Sequence, residues 1–544
     1  MQSASSSPLR YSSTNSTIIL VILLALAIIA TAGCGSSGSS SQPPKLSGNT
    51  AVTVMLSSVA NDQLTQFSLV FQGITLTSQS GKIVTLLSTP QGAEFMTVNG
   101  GAVPLITATI PQDIYTAASV TLGSAEFACV TLTPSGGLVT HIFAYGQTPS
   151  ANVTATMPLP ITVTGSGMGL SLNLNVFQSV TYSSCYDSSD LYTYSITPTF
   201  NVTPIQFAAQ PTSPANGRVT GLQGEIAAIG TSGTSFSLTT PTADLTCPCP
   251  QGAPSLEVTS DSNTVYQGIS DFSKLAAGTF VQMDGAVQAD GSLRATRVEV
   301  EDPSAVDVLS GPVMAVWPAQ PVIAAPAAVV FGQQQQGKDR APITGYYDLQ
   351  SAVFQISGQL NNLQTLPFVP SFSVLNMVAG QNVYVSSPTF EISGGGYAPA
   401  NTLTLMPQTI NGTVMASAKS GNFTDYTVLL ASYDLFPTLA VQQGQKTLLN
   451  NPSQVEVYVD SNTQMLNTQA LASGSTLRFY GLVFNDNGTL RMDCAQVNDG
   501  VAFSPQSASI SRAEIGQSRT IRRKGPGGLQ QTTTVITRSR QDQP

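Results

Sequence analysis

One stretch of the chain occurs twice, and that repetition limits the possible folds more than any single motif. LEVTSDSNTVYQGISDFSKLAAGTFVQMDGAVQADGSLRATRVEV begins at Leu256, and VEVYVDSNTQMLNTQALASGSTLRFYGLVFNDNGTLRMDCAQV begins at Val455. Asp261-Ser262-Asn263-Thr264 aligns with Asp460-Ser461-Asn462-Thr463. Gly278, Gly285, Gly291 and Leu293 align with Gly474, Gly481, Gly488 and Leu490. A tetrapeptide plus three glycines in register indicates duplication of one structural unit. That unit reads as β. Thr279 to Ala286 predicts a strand, with Gly285 at a bend. Asp290-Gly291 predicts a tight turn and Leu293 to Val300 the returning strand. Asn487-Gly488 takes the turn's place in the later copy. Upstream, GLQGEIAAIGTSGTSFSLTT from Gly221 and INGTVMASAKSGNFTDYTVLL from Ile410 each read as strand, turn, strand. A divergent copy lies between them, opening on SGPVMAVWPAQPVIA and closing on MVAGQNVYVSSPTFEISGGGYAPANTLTLMPQ, with Gly380 in the place of Gly278.

The expected fold class is all-β: an N-terminal β-sandwich followed by about three small β-barrel repeats of an OB-like kind. The sandwich is placed at 50–206, where short runs rich in Val, Leu, Phe and Thr recur between polar breaks. Ser80-Gly81 and PSGGLV are hairpin turns within it. AAQPTSPANG is a linker. The barrels follow at 217–305, 306–408 and 409–503. The segment 510–544 carries seven basic residues and two acidic ones without a burial pattern, and is expected to be a basic disordered tail. It reads as a solvated tail; the alternative is that its charge contacts anionic lipid heads, lipopolysaccharide or acidic polymers.

The N-terminus fixes where such a chain works. Ile18 to Ala30 is an uncharged apolar run of thirteen residues. A membrane-crossing helix needs roughly 20, whereas thirteen suits a signal peptide core, placed at 1–33. The run ends Thr31-Ala32-Gly33-Cys34, which resembles the bacterial lipobox, with Thr31 departing from the usual leucine. The resemblance implies that Cys34 is lipidated and becomes the new N-terminus, holding the chain to a membrane by its acyl chains. Gly35, where retained lipoproteins often carry aspartate, implies the outer membrane. Residues 34–49 are then a Gly/Ser/Pro tether.

Charged residues make up 9% of the chain, against a typical figure of about 25%. The net charge of −9 excludes a general nucleic-acid binder. Setting Cys34 aside leaves five cysteines, an odd number. Cys129 with Cys185 is a candidate disulfide. Cys247-Pro248-Cys249 either pairs elsewhere, stays reduced or holds a soft metal with further ligands.

Catalytic constellations fail. His141 is the only histidine, which rules out zinc sites with two or three histidines. GQQQQGKD, from Gly332, has the spacing of a phosphate loop. Asp339 stands where the magnesium-binding hydroxyl belongs, and Pro342 follows where a helix should begin. Glu299, Glu301 and Asp302 read as a solvated strand edge. Asp261 and Asp460 offer one acid per loop, too few for calcium. No metal, cofactor or enzyme activity is expected. Tyr186, Tyr192 and Tyr194 are candidate ligand-binding residues, the last two sharing a strand face; exposed, they would stack on a sugar ring, and buried, they would belong to the sandwich core.

The first module, with VTVMLSS, VFQGITLTSQSGKIVTLL and ITATIPQDIYTAASVTL, is similar to sandwich-like modules of bacterial lipoproteins. The 217–302 unit, with GEIAAIG and LAAGTFVQMDGAVQADGSLRATRVEV, is similar to a small barrel family found beside them. Both are families without assigned chemistry. The reading is a lipid-anchored cell-envelope protein with a structural or ligand-binding role. Its partners are the membrane through the N-terminal lipid, and a polysaccharide or another envelope protein. The alternative is a carbohydrate-binding or adhesion protein using the tyrosines.

Overall fold

A computed structural model describes residues 46–59, 64, 66–95, 98, 101–132, 138–145, 151–182, 194–239, 255–305, 307–317, 326–334, 342–360, 363–389, 397–431, 434–437, 439, 449–466, 471–498, 517–524 and 530–537. The chain divides into two compact units, Met1–Ser47 and Gly48–Pro544, and the elements below belong to the second. They are nearly all strands.

The N-terminal module is built from two sheets. One orders Phe200–Ile205, Gly167–Asn175, Asn49–Val59 and Val103–Pro111, with the middle pair parallel and the outer pairings antiparallel. The other centres on the long strands Gln66–Ser78 and Ile114–Leu132. Side chains alternate across a strand, so Val52, Val54 and Leu56 of the first sheet share one core with Phe67, Phe71, Val120 and Leu122 of the second. The Phe71 ring lies 6.0 Å from both Phe95 and Phe200, bridging the layers. Ser80-Gly81 makes the expected turn: Gly81 has φ of 84°, and Ser78 N–H donates to the Lys82 carbonyl at 2.8 Å.

The tail departs from expectation. Gln517–Lys524 and Gln530–Thr537 form a hairpin whose second strand pairs in parallel with Leu138–Tyr145 of the N-terminal module. The β-branched run Thr532 to Ile536 supplies the strand propensity that its charge concealed.

The duplicated unit is a small closed barrel. In the first copy Arg218–Ile229, Ser235–Thr239 and Ser255–Thr259 pair in sequence; Phe280–Val287 lies on the other side of Arg218–Ile229; and Leu293–Glu299 closes the ring on Ser255–Thr259. A short strand, Val265–Gln267, adds to the last strand in parallel. The third copy repeats each pairing with Gln408–Ser420, Phe423–Leu430, Gln454–Val459, Gln464–Leu466, Thr476–Asp486 and Thr489–Asn498. The middle copy does so with Asp307–Trp317, Ala327–Gln334, Pro342–Asp348, Val353–Ile356 and Asn382–Ser387, its last strand split into Ala398–Pro399 and Thr402–Leu405.

The repeated residues have repeated jobs. Gly278, Gly380 and Gly474 have φ of 85°, 100° and 88°, and each N–H donates to a first-strand carbonyl, of Ile226, Val313 and Val414, at 2.7–2.8 Å. Positive φ is cheap only for glycine. The DSNT loops are latches: Thr264 Oγ1 donates to the Ala295 carbonyl, and Thr463 Oγ1 to that of Cys494, each at 2.8 Å. That equivalence corrects the sequence alignment by two residues near the turn. Gly285 faces Ala295 and Gly481 faces Cys494, so the later hairpin is longer and Leu293 corresponds to Met492 rather than Leu490.

Neighbouring modules share cores. Met55, Ala102 and Ile205 of the sandwich pack into the first barrel's cluster. Phe280 of the first barrel stacks on Tyr384 of the second, centroids 5.4 Å apart. Phe368 of the second lies 5.2 Å from Tyr458 and 5.7 Å from Phe484 of the third.

Candidate functional site

Cys34, Tyr186, Tyr192, Cys185, Cys247 and Cys249 lie outside the described residues. Tyr194 opens the strand Tyr194–Ile196, in register with Tyr182; its side chain is outside the description. Cys129 and His141 pair in register on adjacent strands, again with side chains outside it. Cys494 is buried and free, and burial pushes its thiol well above the ordinary value, which keeps it protonated. Asp261 and Asp460 spend their carboxylates on their own loops, accepting from the N–H of Asn263 and Asn462 at 2.8 Å. Among the described residues no group of three His, Cys, Asp or Glu is placed to hold a metal. Gly332 to Gln334, the start of the phosphate-loop look-alike, ends a strand instead.

The acids at the end of the first barrel are the clear correction. Glu299 and Glu301 are each only 9% exposed. They form no solvated edge, because the next barrel packs over them. Glu301 accepts from Thr404 Oγ1 of the second barrel at 2.7 Å. Asp302 accepts from Ser386 Oγ at 2.8 Å and Asn401 Nδ2 at 3.0 Å, likewise from that barrel. Burial, reinforced by Glu299, pushes the Glu301 carboxyl up to about 7.

Next to these acids lies a cleft of about 290 Å³. Its floor comes from the cross-strand pair Asp284 and Arg297, on Phe280–Val287 and Leu293–Glu299. Arg297 Nε donates to Asp284 Oδ2 at 2.8 Å, and Nη1 to Gln267 Oε1 at 3.2 Å and to Glu299 Oε2. Nη2 is buried without a partner. Burial alone would weaken the guanidinium's charge, but Asp284 and Glu299 outweigh it and raise its pKa. Asp284 Oδ1 accepts from the Gly221 N–H at 2.7 Å. Gly221, at φ of 63°, sits in a register shift of the first strand that turns this N–H toward the carboxylate.

The walls come from several modules. Gln210 and Pro211 of the linker, Arg218 and Arg294 of the first barrel and Gln359 of the second line the cleft. Tyr480 of the third barrel reaches the same junction. Burial and then Asp284 push its hydroxyl up to about 12, against the opposing effects of Gln359, Arg297 and Arg218.

No sequence motif marks this site, yet the duplication could have found it. The position of the Asp284–Arg297 pair is occupied by Tyr480 and Gln496 in the third barrel and by Ser386 and Thr402 in the second. The charge belongs to one copy, while the barrel belongs to all three.

The fold and the cleft define a chain of fused β-barrel modules with a polar junction at the first barrel. Residues 223–299, which span most of that barrel, match a family model described as a domain of unknown function (DUF5666). No curated protein matches the chain.

Proposed function

We propose that this chain is an exported, lipid-anchored protein of the bacterial cell envelope, with a structural or ligand-binding role and no catalytic chemistry. Its partners are the membrane, through the lipid on Cys34, and a polysaccharide or another envelope protein. The observation that supports it is the order of segments. A leader holding the uncharged apolar run Ile18 to Ala30 precedes Cys34, a Gly/Ser tether follows, and from Asn49 onward the described elements are β-modules joined through shared cores. Such a body suits a load-bearing or ligand-presenting scaffold, and a Gly/Ser-rich composition between it and Cys34 is that of a spacer. Delivery to the outer membrane follows from Gly35 after the cysteine.

Mass spectrometry of the protein made in a bacterial host tests this. A mature N-terminus at Cys34 carrying a diacylglyceryl group is the expected result, and Cys34→Ala should leave an unlipidated protein. An intact leader with an unmodified thiol at Cys34 would refute the anchor. The carbohydrate-binding alternative draws on Tyr192 and Tyr194, two residues apart in sequence, and on the backbone register that sets Tyr194 opposite Tyr182 on adjacent strands. A glycan array that lights up with the native protein and fades with Tyr192→Ala/Tyr194→Ala would favour it.

A further inference from the structure

The cleft at the first barrel has the make-up of an anion receptor. Arg297 is 7% exposed and directs three of its guanidinium contacts to Asp284, Gln267 and Glu299, which leaves the buried Nη2 without an acceptor. An unpaired donor on a buried charged group is costly to folding. Stability of the barrel does not explain why the group is there. The other two barrels close with uncharged residues at the same cross-strand pair, and a buried ion pair is weak evidence for stability.

Two more guanidinium groups stand on the walls. Arg218 Nη1 donates to the Thr212 carbonyl and Arg294 Nη2 to the Ala209 carbonyl, both at 3.3 Å. These are single bonds to the linker from side chains with five donors each. The three arginines outnumber the two carboxylates that Arg297 touches, on a chain whose net charge is −9. Gln267 and Gln359 add neutral donors and acceptors. A volume of about 290 Å³ is near the lower end for small-molecule sites.

We propose that this cleft binds a small molecule bearing a carboxylate or phosphate, its oxyanion taken by Arg297 Nη2 with Arg218 and Arg294, and its hydroxyl groups by Gln267 and Gln359. Guanidinium forks match both oxyanions. The proposal rests on the ligand-binding half of the reading above and needs nothing of the anchor at Cys34.

Isothermal titration calorimetry on the full-length protein in detergent tests it with four probes: glucuronate, glucose 6-phosphate, inorganic phosphate and neutral glucose. Saturable binding of at least one oxyanion, weakening as salt rises, with glucose silent, is the expected result. Binding of phosphate alone would mark a site for the free anion. Binding of the two sugar acids without phosphate would mark one that also reads hydroxyl groups. Arg297 holds the buried Glu299 and the half-buried Asp284, so its variants risk misfolding. Arg218→Gln and Arg294→Gln, both partly exposed, carry the test, and each should lower affinity about tenfold at unchanged circular dichroism. No saturable heat from any of the three oxyanions at millimolar concentration would overturn the proposal. So would binding that the double variant leaves intact. Cys34→Ala should bind as the native protein does, so loss of the anchor and loss of the site are read separately.

Discussion

Glu301 shows what one residue's surroundings do to a module boundary. Its carboxyl is 9% exposed and accepts from Thr404 across the junction, while its second oxygen has no hydrogen-bond partner. Glu299 and Arg297 act on it from its own barrel, and its charge in turn raises the buried Tyr384 hydroxyl of the next. With a native value of about 7, above the ordinary 4.5, the folded chain holds this proton more tightly than the unfolded chain. The stabilisation is therefore fully present below the ordinary glutamate range and is lost as pH rises through about 7. Glu301→Gln keeps a neutral group at the site. It should match the native protein below about pH 4 and exceed it by a few kcal/mol at about pH 8, since each tenfold difference in proton affinity between folded and unfolded chain is worth about 1.4 kcal/mol. Urea unfolding midpoints across that range check this, and parallel curves for the two proteins would refute it.

At the scale of the strand, glycines decide where the barrel can close. Gly224, Gly311 and Gly412 occupy one first-strand position in the three copies. A Cβ there would press on the backbone carbonyl of Thr239, Phe331 or Leu429 in the neighbouring strand. Gly285 and Gly481 do the same in the fifth strand, where a Cβ would meet the Arg294 or Asp493 carbonyl. The second barrel has the buried Ser387 at that position, and there the last strand is broken between Pro399 and Thr402. A side chain under the ladder and a split ladder occur together, as the sterics require. Gly481→Ala should therefore disrupt the pairing of Thr476–Asp486 with Thr489–Asn498. Gly474→Ala meets open space and costs only the positive φ, about 1–2 kcal/mol. Thermal unfolding of the two variants checks the order, and equal losses would refute it. These glycines also explain how much of the fold the sequence made legible. Turn glycines and the DSNT latch are local, so a one-dimensional alignment finds them. Gly224, Gly311 and Gly412 answer to the backbone of a neighbouring strand, and no local pattern separates them from chance. The Arg297 site was less legible still. Glu299 and Glu301 alternate as an exposed edge would, and only the second barrel, at Thr404 far along the chain, turns that edge into an interior.

At the scale of the molecule the question is whether the barrels unfold as beads or as one body. Beads on a string would each keep a closed core and a polar outer face. Here the second barrel's core cluster runs into the third, taking in Phe423, Tyr458, Leu482 and Phe484. Gln381 Nε2, buried, donates to the Val483 carbonyl across the same boundary at 2.9 Å. Phe368 is the centre of this seam: it packs between Tyr458 and Phe484, and the Arg491 guanidinium lies 5.3 Å over its ring. Removing the ring leaves a cavity shared by two modules, and Phe→Ala in such a site costs about 3–5 kcal/mol. The loss falls on the coupling between barrels more than on either barrel's own ring of strands, since Phe368 belongs to a connecting loop and to no strand. Scanning calorimetry of the full chain should accordingly show the second and third barrels melting together in the native protein. In Phe368→Ala that transition should split, the two parts separated by several degrees. A single transition merely shifted to lower temperature would mean that the modules are coupled through other contacts, and an unshifted one would mean that the shared core contributes nothing. The same coupling bears on the cleft, whose walls come from the linker and two barrels, with the third at Tyr480. A site assembled from that many modules keeps its geometry only while they stay docked, so the variant that splits the melting transition should also weaken whatever the cleft binds.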